Sequence, residues 1–195
     1  MEPLLPDHYY HIYNHANGED VLFRNSMNYD FFLEKYVKFV SVVAYTYVYC
    51  LMPNHFHFMV RLKNKNEIIR TMSGKLARKY FDSNGDSKLI SLYLSKQFAK
   101  FFSSYTQSFN KIHDRMGSLF VKNFKRKPAD DEDYRRELVV YIHQNPVLHG
   151  FVEYPDEWDY SSFNDILFTN TTFLLRDEVI RLFGDLDNLK YCHNK

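Results

Sequence analysis

The chain has 195 residues and a formal net charge of +1; 45% of residues are hydrophobic, 25% charged and 18% aromatic. This balance excludes a disordered or fibrous chain and leaves one domain, or one domain with an appendage, large enough to bury its own core. Two cysteines, Cys50 and Cys192, are too few for a disulfide framework, and the longest apolar run, residues 37–52, is broken by Lys38, Ser41 and Thr46 and is too short to span a bilayer.

In chain order, "HYYHIYNH" (8–15) reads as a strand closed by Asn17-Gly18. "SMNYDFFLEKYVKFV" reads as a helix capped by Ser26 or Asn28, with Phe31, Phe32, Tyr36 and Phe39 on one side. "SVVAYTYVYCLM" is β-branched and aromatic, a second strand, and Pro53-Asn54 turns it into an antiparallel third over 55–63. "NEIIRTMSGKLARKYFD" reads as one helix, 83–91 as a polar connection, and "LYLSKQFAKFFSSYTQSFNKI" as a long helix. "GSLFVKNFKRK" reads as a strand. "DDEDYRRELVVYIHQN" is the last strong helix, with acids in its first turn and a stop at Pro146. Further on, "DEVIRLFG" reads as a short helix. The order βαββα(α)βα predicts an α+β fold, an antiparallel sheet with helices packed on it. No repeat or low-complexity segment interrupts it.

Charge is unevenly spread. From Lys96 to Lys127 the basic residues include Lys111, Arg115, Lys122, Lys125, Arg126 and Lys127, against one acid, Asp114, whereas 153–187 is strongly acidic. Solvated helix faces and a basic surface for a polyanion both account for this. The N-terminus shows no basic region followed by an apolar core, so no signal peptide is expected, and the chain reads as soluble and cytoplasmic, with no membrane partner.

Two histidines sit in a run that otherwise reads as buried strand, "YCLMPNHFHFMV". Residues at i and i+2 of a strand share a face, so His55 and His57 lie on one side and Phe56 and Phe58 on the other. Their Cα atoms would be ~6–7 Å apart, close enough for both imidazoles to converge on one metal ion. A satisfied polar pair on a sheet face is equally consistent. A histidine triad would need a third histidine at position 59, which is Met, and an amidohydrolase barrel needs ~250 residues. On the last strong helix, Tyr134, Leu138, Tyr141 and Asn145 form one stripe. Tyr141 alone would read as a core aromatic, and Asn145 is an ordinary residue before proline at a helix end.

Taken together, "MPNHFHFMV", then "YIHQNPVLHGFV" about eighty residues later, then "WDYSSF", resemble the HUH single-tyrosine transposases, on the branch of those associated with repetitive extragenic palindromes. The resemblance spans roughly residues 8–163. It implies a ferredoxin-like antiparallel sheet of βαββαβ order with extra helices, the HUH endonuclease type, over 1–165, and a helical appendage over 166–195. It implies that His55 and His57 are metal ligands, Asn145 the third ligand, and Tyr141 the nucleophile. It implies a transposase that nicks and rejoins single-stranded, hairpin-bearing DNA through a 5′-phosphotyrosine, with Mg²⁺ or Mn²⁺ as cofactor, as a monomer or a homodimer.

The chemistry is consistent with those roles. Attack by a phenol needs its anion, ordinarily formed near pH ~10, and a cation to stabilise charge on the scissile phosphate. Lys111, Arg115, Lys122, Lys125, Arg126 and Lys127 would then contact DNA phosphates. Tyr45, Tyr47 and Tyr49 fall on one face of their strand and would either pack in the core or stack on bases. Two rival functions remain: an inactive hairpin-binding regulator, and a metal-dependent phosphodiesterase that uses water.

Overall fold

Period-two alternation builds the sheet. A computed structural model of the chain, describing residues 2–168 and 172–193, contains strands Tyr9–His15 (β1), Ala44–Met52 (β2), His55–Leu62 (β3) and Lys125–Pro128 (β4). They form one sheet in the order β2-β3-β1-β4, every neighbouring pair antiparallel, which is the ferredoxin-like arrangement expected. Cross-strand register sets Tyr10 against Val60, Ile12 against Phe58 and Asn14 against Phe56 on one face. Helices Ser26–Phe39 (α1) and Ser87–Ile112 (α4) cover that face. Tyr36 stacks on Phe58 at 4.1 Å, and Phe32 meets Phe101 at 4.7 Å. The core is rich in aromatic rings, each fully buried ring being worth ~1.5–3 kcal/mol relative to exposure.

The other face carries His11, Tyr13 and His15 opposite Met59, His57 and His55. It is covered by Glu132–Leu148 (α5), which packs on β2 and β3. Asp131 caps this helix by accepting from the Tyr134 N–H, and Glu132 and Asp133 complement its dipole. The expected stop at Pro146 does not occur; the helix runs on to Leu148. A proline in the final turn forfeits a single bond, to the Ile142 carbonyl, while the His149 N–H still closes on the Asn145 carbonyl at 3.0 Å.

Several other boundaries differ from expectation for local reasons. The cap of α1 is Asn25, whose side chain accepts from the Asn28 N–H. The single helix predicted over 66–82 is two, Lys65–Thr71 (α2) and Gly74–Asp82 (α3). Met72 and Ser73 are extended between them, and Gly74 takes a φ of +66° that favours glycine. α4 begins at Ser87, five residues before the predicted start, because Asp86 accepts from the Lys88 N–H. The strand predicted over 117–127 is reduced to β4; Asn123 at φ +65° breaks it, and upstream only an Ala16–Phe120 bridge remains. A bulge between Thr46 and Val48 sends Tyr45 to the Arg61 side and Tyr49 to the Phe58 side, so the three tyrosines do not share a face. Their hydroxyls are occupied, by Glu67, Glu178 and Asp165 respectively. They are not a stacking platform.

The C-terminal segment follows the free edge of β2. Tyr49 and Leu51 exchange backbone hydrogen bonds with Tyr160 and Ser162, and the Leu175 N–H reaches the Thr46 carbonyl at 2.8 Å. Short helices Phe163–Leu167 (α6), Arg176–Leu182 (α7) and Leu186–His193 (α8) follow. Of the expected 166–195 appendage, 169–171 and 194–195 lie outside the described residues. Within α8, His193 Nε2 lies 2.9 Å from His143 Nδ1 of α5, and His143 Nε2 lies 2.8 Å from Ser162 Oγ. No helix among the described residues is long and apolar enough to cross a membrane.

Candidate active site

β3 and α5 deliver the four central side chains to one place. His55 and His57 leave the same face of β3, and Tyr141 and Asn145 leave α5 one turn apart on the face that looks at it. His55 Nε2 stands 3.1 Å from Asn145 Oδ1, and the Tyr141 ring centroid is 5.5 Å from that of His57. Leu138, one turn before, is buried under the helix, so the stripe read from the sequence borders the histidines within one chain.

The amide is held by its own helix. Asn145 Nδ2 donates to the Tyr141 carbonyl at 3.2 Å, which leaves Oδ1 aimed at His55. Asn145 is 1% exposed, whereas Tyr141 is 43% exposed at the rim of a pocket formed with His11, Tyr13, His57, Lys127, Tyr134 and Glu137. A buried donor beside an accessible phenol suits a reaction at a surface-bound chain.

Electrostatics keep the imidazoles neutral. Burial takes His55 down to about 4, with the Asn145 hydrogen bond opposing and the charges of His15 and His149 assisting. Burial takes His57 to about 2, assisted by His11 and His55. Neutral imidazoles are what a metal ion requires. Two donors on one octahedral ion at ~2.1 Å would stand ~3.0 Å apart, close to the His55–Asn145 separation. No group of three or more His, Cys, Asp or Glu is arranged for a metal among the described residues. The site that fits one here has an amide as its third donor.

Strand pairing and the end of α5 add side chains to which the sequence patterns gave no role. His11 Nε2 is 2.8 Å from His57 Nδ1; the His15 ring stacks on His55 at 4.9 Å; and His149, the C-cap of α5, lies 5.1 Å from His55. His11 and His15 share a face of β1, which the alternation of "HYYHIYNH" shows; that this face meets the histidines of β3 depends on register.

The six predicted phosphate-binding residues do not form one patch. Register puts Lys125 and Lys127 opposite Tyr13 and His11, on the histidine face, with Lys127 Nζ 4.2 Å over the Tyr134 ring. Arg126 points to the opposite face, bonded to Ser95 Oγ at 3.1 Å and lying over Phe124. Arg115 is committed to Asp20 and to the Ser118 carbonyl, and holds the loop after α4. Lys111 lies in the last turn of α4, and Lys122 is exposed in the loop before β4.

Three comparisons with known proteins bear on this arrangement. No protein-family model matches the chain. A Haemophilus influenzae (strain ATCC 51907 / DSM 11121 / KW20 / Rd) protein whose name places it among the REP-associated tyrosine transposases is 29% identical over 123 residues, 61% of this chain and 58% of that relative's length. In fold, the chain is similar to the REP-associated tyrosine transposase solved bound to a REP hairpin, with a TM-score of 0.63, 14% identity, and coverage of 86% of this chain and 82% of the other. A relative in sequence thus carries the name of the family that the two motifs resemble, and the fold is that of the solved transposase.

Proposed function

We propose that this chain is a REP-associated tyrosine transposase that cuts and rejoins single-stranded, hairpin-bearing DNA with Tyr141 as its nucleophile. The observation that carries this reading is the meeting of α5 with the histidine face: Tyr141 beside His57, and Asn145 against His55. The 29% identical relative by its name, and the solved structure with its REP hairpin, support the same class of substrate.

Tyr141 is accessible, so its Oη can approach a phosphodiester lying across the pocket. Its oxygen forms a bond to phosphorus as the bond to the 3′-oxygen breaks; the phenolic proton leaves to solvent, and the departing 3′-oxygen takes one up. The product is a 5′-phosphotyrosine and a free 3′-OH, and attack by another 3′-OH reverses the step and joins strands. His55, His57 and Asn145 would hold Mg²⁺ or Mn²⁺, which when bound supplies positive charge to the phosphate oxygens. Lys125 and Lys127, on the same face, position the backbone by charge. Such an enzyme would work in the cytoplasm, where its DNA is.

Incubating the protein with hairpin-bearing single-stranded DNA and Mg²⁺, then running a denaturing gel, tests the reading. A covalent protein–DNA adduct is expected in the wild type and absent both in Tyr141→Phe and in EDTA. Undiminished cleavage by Tyr141→Phe would overturn the nucleophile and favour activated water.

A further inference from the structure

We propose that His11 is a positioning residue that sets the tautomer of His57 and so presents His57 Nε2 to a divalent cation. This rests on the transposase reading of the site, and it adds a residue outside the motifs of β3 and α5.

His11 is 7% exposed and His57 4% exposed, and their only mutual polar contact is His11 Nε2 to His57 Nδ1 at 2.8 Å. One proton lies between two ring nitrogens. If His11 donates it, the proton of neutral His57 is on Nε2, which then has no lone pair for a cation. If His57 donates it, Nε2 carries the lone pair and His11 carries its own proton on Nδ1. The second arrangement is the one compatible with ligation, and His57 Nε2 makes no hydrogen bond among the described residues that would compete with it. A ligating imidazole whose other N–H is bonded is also a stronger donor and is fixed in orientation.

The surroundings hold His11 for this task. Its ring stacks on Tyr13 at 4.6 Å and meets the edge of Tyr141 at 6.1 Å. The antiparallel register fixes the approach: His11 pairs with Met59, diagonal to His57 across the same face of β1 and β3. His55 is served differently, through Asn54 Oδ1 at 2.7 Å from its Nδ1. Each of the two histidines therefore has a partner on Nδ1, with His55 Nε2 turned to Asn145 Oδ1 at 3.1 Å.

The variants separate hydrogen bonding from packing. His11→Phe keeps a flat ring against Tyr13 and Tyr141 but removes the acceptor; His11→Gln restores an acceptor near the position of Nε2. Mn²⁺ is titrated into the DNA-free protein, with binding followed by loss of the free-ion EPR signal and by paramagnetic broadening of the His57 ring resonances. His11→Phe should weaken Mn²⁺ binding by about 10–100-fold at unchanged thermal midpoint, and His11→Gln should recover most of it. In the Mg²⁺-loaded wild type, ¹⁵N shifts should report protonation of His57 at Nδ1. Equal Mn²⁺ affinity in His11→Phe, or protonation at Nε2, overturns this inference alone. Failure of the wild type to bind Mn²⁺ at all overturns the metal reading beneath it.

Discussion

At Asn145, burial and neutrality meet. His55, His57 and Asn145, as the proposed ligands, would present three donors with no charge among them, since burial holds both imidazoles neutral. A dication bound there alone would face no compensating charge, and the phosphate of the substrate would have to supply it. Cation and DNA should therefore bind cooperatively. Asn145→Asp, which adds one charge to the donor set, should tighten Mn²⁺ binding to the DNA-free protein by about tenfold while weakening binding of hairpin DNA. Isothermal titration of each ligand checks both halves; unchanged Mn²⁺ affinity would argue against a donor role for Asn145. The shared faces were readable in the sequence because each pair is local, i and i+2 on a strand and i and i+4 on a helix, whereas the roles expected of the four residues came from the resemblance of the two motifs. The place of His11 was not readable, because only strand register brings it to His57; His149 is within helical spacing of Asn145, but only the packing of α5 on β3 sets its ring against His55.

β4 shows how little of an element can direct function. It is four residues long, and its alternation sends Lys125 and Lys127 to the histidine face and Arg126 to the α4 face. Lys127→Ala should weaken binding of hairpin DNA and lower the slope of log affinity against log salt by about one, the signature of one lost phosphate contact. Lys111→Ala, at the far end of α4, should leave that slope unchanged; titrations at several salt concentrations distinguish the two. The basic run itself was readable, but its division between faces was not, because Asn123 and the Lys125–Pro128 pairing fix which lysines look toward the site. The bulge in β2 is a similar case: one residue out of register separates tyrosines that strict alternation would keep together. By contrast, the Ser73-Gly74 pair that splits α2 from α3 was a visible turn signal, outweighed by the apolar periodicity on either side.

On the scale of the whole molecule, α8 and α5 share a buried seam of uncharged imidazoles. His143 is fully enclosed, and burial drives it well below the ordinary histidine range, with His193 adding to the effect; burial also lowers His193, against its bond to the Leu189 carbonyl. On the sheet face beneath α5, His11 is held at about 4 by burial and by Lys127. Every one of these shifts is downward, so the folded chain binds fewer protons than the unfolded chain below pH ~6.5. Stability should thus be full above that pH and fall as pH drops toward the folded values. For His11 alone the penalty at pH 5 is about 2 kcal/mol. Because several histidines act together, the fall should be steeper than one titration allows. Urea unfolding between pH 7.5 and 5 measures it, and His143→Leu, which removes one buried imidazole from the seam, should flatten the acid limb even if it lowers stability at pH 7.5. A stability that is level from pH 7.5 to 5 would mean that these imidazoles take up protons in the folded chain, and the packing of α8 on α5 would need another account.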